Sequence, residues 1–323
     1  MYIIANVNST NVTYGSAVSI YVKLSPSISG GTLTISYLIN GTTTMGTIGS
    51  YTPVNGTAQV TWIPPQAGTY LITIYYINSP NYLPSSTNLT IIVNKAPCSL
   101  SIIINGTPEV LHEIFILSQM KPVIINAQLN VLVISNTSSI IGTMYINATG
   151  FGTYTFIPKL PGNYSITVSW PGNINYQGCR ATYALNVMKA PLTLYVNGSS
   201  NLIAAGGYET FSINITTNIP INYVGGNLTI VIRSGNKTVN TYEVPINGYY
   251  MKSSIQFSKP GLYEVFVQYP GNNYVMQSIY GPYYVTVIPG LLGIPWYTLL
   301  AYLISMALGV SMGIIINRKL HRA

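Results

Sequence analysis

The triplet Gly68, Thr69 and Tyr70 returns as Gly162, Asn163 and Tyr164 and again as Gly261, Leu262 and Tyr263, at spacings of 94 and then 99 residues. A period of domain length constrains this chain more than any other feature, because each unit must then close a core of its own. Asn81 and Tyr82 follow the first triplet, and the pair returns as Asn175 and Tyr176 and as Asn273 and Tyr274. The linker Lys95, Ala96, Pro97 returns as Lys189, Ala190, Pro191. An aromatic residue and a proline turn precede each triplet: Trp62 with Pro64 and Pro65, Phe156 with Pro158 and Pro161, Phe257 with Pro260. The units are therefore 1–95, 96–189 and 190–289.

Within each unit, short runs such as TYLITIYY, NYSITVSW and LYEVFVQY alternate apolar with polar residues, the period of a strand with one buried face. Gly, Pro and Asn separate them. Units of this length with about seven such strands predict sandwiches, and no stretch before residue 294 has sustained helical periodicity. The expected fold is all-β: three tandem immunoglobulin-like β-sandwiches. Tyr70, Tyr164 and Tyr263, each at a strand start after a proline turn, have the form of a tyrosine corner, with a buried ring and a hydroxyl bonded to upstream backbone.

The end of the chain is different. From Ile294 to Ile316, IPWYTLLAYLISMALGVSMGIII carries no charge over twenty-three residues, against the roughly 20 that a helix needs to cross hydrocarbon. Residues 294–316 are read as a single transmembrane helix, with Trp296 and Tyr297 as interfacial anchors. Arg318, Lys319 and Arg322 follow in the tail 317–323, and the excess of positive charge puts that tail in the cytoplasm and the N-terminal bulk outside. Ala301, Ser305, Gly309 and Gly313 form a stripe of small side chains, read either as a helix-packing face for oligomerisation or as the small-residue content common in membrane helices. Export calls for a signal peptide, whereas Met1 leads directly into the strand-like YIIANV, so a start upstream of Met1 is expected.

Only 6% of residues are charged, no Asp occurs, and the five carboxylate side chains are all Glu. The formal charge of +8 does not indicate nucleic acid, because Lys and Arg are scattered singly from Lys23 to Lys259 and phosphate binding needs them clustered. A surface with so few groups to protonate suits acidic, hot surroundings. Thirteen Asn-x-Ser/Thr triplets begin at Asn8, Asn11, Asn40, Asn55, Asn88, Asn105, Asn136, Asn147, Asn163, Asn197, Asn214, Asn227 and Asn236. They read either as N-glycosylation acceptors or as ordinary turn and strand-surface residues. Cys98 opens the first strand of the middle unit and Cys179 precedes its last, elements that neighbour each other in a sandwich. A disulfide there would contribute about 4 kcal/mol in the chain-entropy model and needs an oxidising compartment or a thermophile; two separate buried thiols are the alternative.

The stretches GTYLITIYYINSPNYLPSSTNLTIIV, GNYSITVSWPGNINYQGCRATYALNV and GLYEVFVQYPGNNYVMQSIYGPYYVTV carry a resemblance. They look like the closing strands of the bacterial-type immunoglobulin-like repeats found in tandem on prokaryotic surface proteins. That family often has Asp in the PGxxNY turn, where this chain has Asn173 and Asn272, and the first unit has Ile77 and Asn78 in place of Pro-Gly. The resemblance implies a surface role as spacer, adhesin or envelope component. The acceptor-rich, charge-poor composition is also similar to surface proteins of thermoacidophilic archaea, including membrane-anchored surface-layer subunits, although no coiled-coil stalk is visible.

Triads, paired-carboxylate sites and hard-metal sites need Asp or Glu brought together with His or each other, and the five Glu are spread over three units. His112, with Glu109 and Glu113, offers at most a weak metal contact and is read as a solvated loop or strand-end position, and no Gly-rich phosphate loop opens a helix. No catalytic residue, metal or cofactor is expected. Tyr249, Tyr250, Tyr280, Tyr283 and Tyr284 cluster along the third unit, read either as strand alternation or as a binding face. The reading is a non-enzymatic, single-pass cell-membrane protein, a stalk or envelope component. Its partners are the membrane and a second copy or envelope component, with no nucleic acid and no identified small molecule. The alternative is an adhesin or receptor in which the membrane-distal repeat, or a domain upstream of Tyr2, captures a sugar, peptide or surface partner.

Overall fold

The computed structural model describes the backbone of residues 1–320 and the side chains of residues 1–312. The first repeat contains β1 (Tyr2–Val7), β2 (Asn11–Thr13), β3 (Val18–Ser25), β4 (Thr32–Ile39), β5 (Met45–Tyr51), β6 (Thr57–Trp62), β7 (Gly68–Ile77) and β8 (Ser85–Asn94). One sheet runs β1-β3-β6 and the other β2-β8-β7-β4-β5. Alternation decides which side chains close the core. Val18, Ile20, Val22 and Leu24 come from β3, Leu33 and Ile35 from β4, Ile72, Ile74 and Tyr76 from β7, and Ile91 and Val93 from β8. Each buried aliphatic side chain stabilises by about 1.5–3 kcal/mol, so a slip of one residue, which would turn the whole set to solvent, is strongly disfavoured. The short β2 pairs in parallel with β8, Asn11 opposite Ile92, and covers part of the outer edge of that sheet.

The same plan recurs twice. The second repeat has β9 (Ser99–Asn105), β10 (Ile114–Lys121), β11 (Gln128–Ile134), β12 (Ser139–Tyr145), β13 (Phe151–Phe156), β14 (Gly162–Trp170) and β15 (Cys179–Val187), ordered β13-β10-β9 and β12-β11-β14-β15. A single parallel bridge from Glu109 to Met188 stands where the first repeat has β2 on β8. The third has β16 (Leu192–Gly198), β17 (Leu202–Ala204), β18 (Gly207–Thr217), β19 (Asn227–Ser234), β20 (Lys237–Pro245), β21 (Tyr250–Phe257), β22 (Gly261–Tyr269) and β23 (Ser278–Ile288), ordered β16-β18-β21 and β17-β23-β22-β19-β20. In sandwich letters each repeat sets an A-B-E sheet beside a C′-C-F-G sheet. The chain divides into two compact units, Met1–Gly106 with Ile114–Phe156 and Tyr164–Leu185, and Thr107–Glu113 with Ile157–Asn163 and Asn186–Ala323, so the division falls inside the second repeat.

After the third sandwich, β24 (Gly290–Leu291) and β25 (Ile294–Pro295) form a small hairpin, and α1 (Trp296–Leu320) begins. The helix starts two residues later than the apolar run. Ile294 and Pro295 are held in the hairpin by Leu292 and Gly293 at positive φ, 50° and 80°, and the Trp296 N–H reaches the Pro289 carbonyl at 3.3 Å. Every side chain from residue 300 to 312 is exposed, including Leu303 at 63% and Met306 at 67%. Among the described residues no helix is long and apolar enough to cross a membrane. Gly313 and the basic tail lie outside the described side chains.

Candidate functional site

The recurring triplet builds one device three times. Its glycine sits at φ 153° in Gly68, 133° in Gly162 and 153° in Gly261, a region that side chains rarely occupy, which is why glycine returns there. Two residues on, the Tyr70 hydroxyl donates to the Gln66 carbonyl at 2.7 Å and the Tyr263 hydroxyl to that of Lys259 at 3.0 Å. Tyr164 is buried in the same place. The aromatic residue before each proline turn packs edge-on against the corner tyrosine: Trp62 on Tyr70 at 5.1 Å, Phe156 on Tyr164 at 5.4 Å, Phe257 on Tyr263 at 5.1 Å. Burial raises the pKa of Tyr70 above its ordinary value, against the opposing effect of its backbone hydrogen bond.

The second recurring device joins the repeats. Ala96 pairs in parallel with Tyr176, and Ala190 with Val275. The Ala96 N–H donates to Asn175 O at 2.9 Å and its carbonyl accepts from Gln177 N at 2.9 Å; Ala190 does the same with Tyr274 O at 2.8 Å and Met276 N at 2.9 Å. Each linker alanine is thus spliced, through both backbone groups, into the F–G loop of the sandwich that follows. Around the first splice, Asn175 Oδ1 accepts from the Ala67 N–H at 3.0 Å and the Tyr14 and Tyr176 rings meet edge-on at 5.5 Å. Around the second, Lys189 Nζ donates to Asn272 O at 2.5 Å and Asn218 Nδ2 to Glu109 Oε2 at 2.5 Å.

The splices correct the register of the sequence repeat. Asn173 Oδ1 accepts from the Asn175 and Tyr176 N–H groups at 2.9 Å, and Asn272 Oδ1 from those of Tyr274 and Val275 at 2.8 Å. Tyr176 therefore corresponds to Val275 and Asn175 to Tyr274, one residue away from matching the two Asn-Tyr pairs. The residue before each of these asparagines, Gly172 at φ 87° or Gly271 at φ 79°, has its counterpart in Asn78 at φ 58°. Asn tolerates the left-handed region better than other side chains, so the first repeat keeps the turn without Pro-Gly.

Cys98 and Cys179 form a disulfide with Cα atoms 5.5 Å apart, tying the starts of β9 and β15. All thirteen acceptor asparagines are exposed, as are most other asparagines of the chain, so exposure does not single any out. Some have engaged oxygens: Asn8 accepts from Ser19 N at 2.9 Å, Asn11 from Asn94 Nδ2, and Asn147 from the N–H groups of Thr149 and Phe151 at 2.9 and 3.0 Å. His112 Nδ1 lies 3.1 Å from the Val110 carbonyl, and among the described residues it joins no cluster able to hold a metal ion. In the small-residue stripe, Ser305 donates to Tyr302 O at 2.8 Å and nothing packs near Gly309.

The tyrosines singled out in the third unit do not converge. Tyr250 belongs to the A-B-E sheet and Tyr280, Tyr283 and Tyr284 to the other. The Ser212 hydroxyl 3.2 Å away, with the Lys252 ammonium as a smaller cause, holds the Tyr250 pKa below its ordinary value. Tyr283 packs edge-on to Phe211 at 5.7 Å, and its pKa is raised by burial and then by the neighbouring Glu209 carboxylate. Glu209 is fully buried and accepts from the Ser200 N–H at 2.9 and 3.1 Å.

A different aromatic set meets where the B–C and F–G loops of the third repeat approach each other. The buried Tyr269 donates to Val224 O at 2.6 Å, and Asn272 Nδ2 donates to Tyr223 O at 2.8 Å and Val224 O at 2.5 Å. Tyr223 and Tyr274 pack edge-on at 5.2 Å. Sequence reasoning saw Asn273 and Tyr274 as a repeat marker but did not join them to Tyr223, because Tyr223 lies in a separate 3-10 turn, Ile221–Tyr223, and Tyr274 in the F–G loop; the one further signal was Asn272 standing where the resembling family often has Asp, which has no N–H to donate.

The sequence matches no protein-family model and no curated protein. Among solved structures the chain is similar to a tetra-tandem repeat from the extending region of a large adhesion protein (10% identity, TM-score 0.36, covering 86% of this chain and 73% of that one). It is also similar to invasin, a bacterial integrin-binding protein (12% identity, TM-score 0.42, 90% of this chain and 60% of that one). A third is the FN1–FN3 segment of chicken CNTN1 (13% identity, TM-score 0.25, 87% and 98%). The thrice-repeated strand order itself, A-B-E beside C′-C-F-G, makes these immunoglobulin-like repeat domains.

Proposed function

We propose that this chain is a non-enzymatic cell-surface protein whose sandwiches act as a structural spacer, held to the membrane by α1 with the C-terminus inside. The observation that carries the reading is the splice: at both linkers an alanine gives both its backbone groups to the next sandwich, whereas a flexible tether leaves its backbone to water. The anchor is supported by the uncharged run from Ile294 to Ile316, which continues past the described side chains, and by the side chains from residue 300 to 312, which are mostly apolar and all exposed; such a surface suits hydrocarbon rather than water. The disulfide and the thirteen acceptor triplets, whose asparagines are all exposed, fit an oxidising, glycosylating exterior. The scarcity of carboxylates fits an acidic one, as around a thermoacidophilic archaeon.

Truncation after Pro289 tests this. The full chain should stay with the membrane fraction through an alkaline carbonate wash, and the truncated chain should be released with its sandwiches folded. A full chain that washes off as readily as the truncated one contradicts the anchor.

A further inference from the structure

We infer that the B–C/F–G end of the third repeat is a binding site for a neutral saccharide. The cavity there has a volume of about 660 Å³, within the roughly 300–1,000 Å³ typical of small-molecule sites. Tyr223 and Tyr274 wall it, and the exposed residues Asn222, Asn227 and Asn273 line it. Because these three asparagines are exposed, their carboxamide donors and acceptors are open to a ligand. No charged side chain lines the cavity, which disfavours a phosphate or carboxylate ligand.

A sugar ring offers what this lining lacks: hydroxyls that donate to and accept from carboxamides, and C–H faces that lie against tyrosine rings. The loops are already held for it. Tyr269 and Asn272 fix Tyr223 and Val224 from below, so little ordering cost remains at binding. Gly271, at φ 79°, allows the close turn, since a Cβ there would lie 2.9 Å from Gln277 N.

The second repeat shows what the same loop does without this chemistry. The counterpart of Tyr274 is Asn175, whose oxygen is spent on Ala67, and its B–C loop, residues 122–127, carries no aromatic residue. The third repeat has exchanged that contact for an aromatic wall.

Two sources of saccharide share this chemistry. Asn227 itself opens an Asn-Leu-Thr acceptor triplet, so a glycan attached there would fold its first sugars onto the tyrosines; a glycan from another surface is the other source. The inference does not depend on the membrane anchor. Saturation-transfer NMR on the full chain in a sugar-free detergent, with N-acetylglucosamine, methyl mannoside and maltotriose as probes, tests it. A probe should receive saturation from the wild-type chain and bind at least about tenfold more weakly to Tyr274→Ala and to the milder variant Asn273→Ala, while Tyr195→Ala on β16 leaves binding unchanged. If Asn227 carries the occupant, the probes bind only to Asn227→Gln, which also supports the site. Absence of binding to both wild type and Asn227→Gln, or binding undiminished in Tyr274→Ala and Asn273→Ala, overturns it.

Discussion

Asn175 of the second repeat accepts a 3.0 Å hydrogen bond from the backbone N–H of Ala67, in the proline turn of the first repeat. The bond crosses from one sandwich to the next, and the Ala96 splice lies beside it. Asn175→Ala should cost about 1 kcal/mol and speed hydrogen exchange at the Ala67 amide, whereas Asn175→Asp, which keeps the acceptor, should preserve protection. Unchanged exchange in Asn175→Ala would show the contact to be idle.

The tyrosine corner should yield to a single oxygen. Tyr263→Phe removes the donor to Lys259 and keeps the ring against Phe257, so chemical denaturation should show a loss of about 1 kcal/mol. Tyr70→Ala, which also empties the space beside Trp62 and Tyr37, should cost about 3–5 kcal/mol.

These corners were the most legible part of the fold. Gly, Tyr and the preceding aromatic are close in sequence and recur together, so local pattern and tertiary role coincide. The linker was legible as a repeated Lys-Ala-Pro, but not its pairing, because backbone bonds between Ala96 and Gln177 leave no side-chain mark. The offset between Asn175 and Asn273 escaped for the opposite reason: identical residues suggested a match that the turn geometry, set by Asn173 and Asn272, does not make. Strand alternation placed the tyrosines of β21 and β23 without saying which sheet each strand joins.

The disulfide spans a sequence separation of 81 residues, for which loop-closure entropy suggests a contribution of about 4 kcal/mol. The double variant Cys98→Ser with Cys179→Ser should unfold at clearly lower urea concentration than the oxidised chain. Equal midpoints would mean that the second repeat gains nothing from the bridge.

Gly198 is fixed by its neighbours, since a Cβ there would run into the Glu209 carboxylate and the Tyr283 hydroxyl. Gly198→Ala should destabilise the third repeat by about 1–3 kcal/mol, and adding Tyr283→Phe should recover part of the loss. A neutral Gly198→Ala would mean the carboxylate is free to move aside.

Stability should be more sensitive to base than to acid. Tyr70, Tyr269 and Tyr283 have pKa values raised by burial above the ordinary 10.0. The folded chain therefore holds these protons after the unfolded chain has released them. Their contribution is complete below pH 10.0 and is lost as the pH climbs toward the raised values. With five carboxylate side chains in all, the acid limb should be shallow. Melting temperatures across the pH range read both limbs, and a steep acid loss with a flat alkaline limb would contradict this.

The most direct test of a surface protein is proteolysis of intact cells that express it. A membrane-impermeant protease should digest the sandwiches from outside and leave a membrane-bound fragment beginning near the hairpin before Trp296. Complete resistance in intact cells, with digestion only after lysis, would place the sandwiches inside and contradict the account.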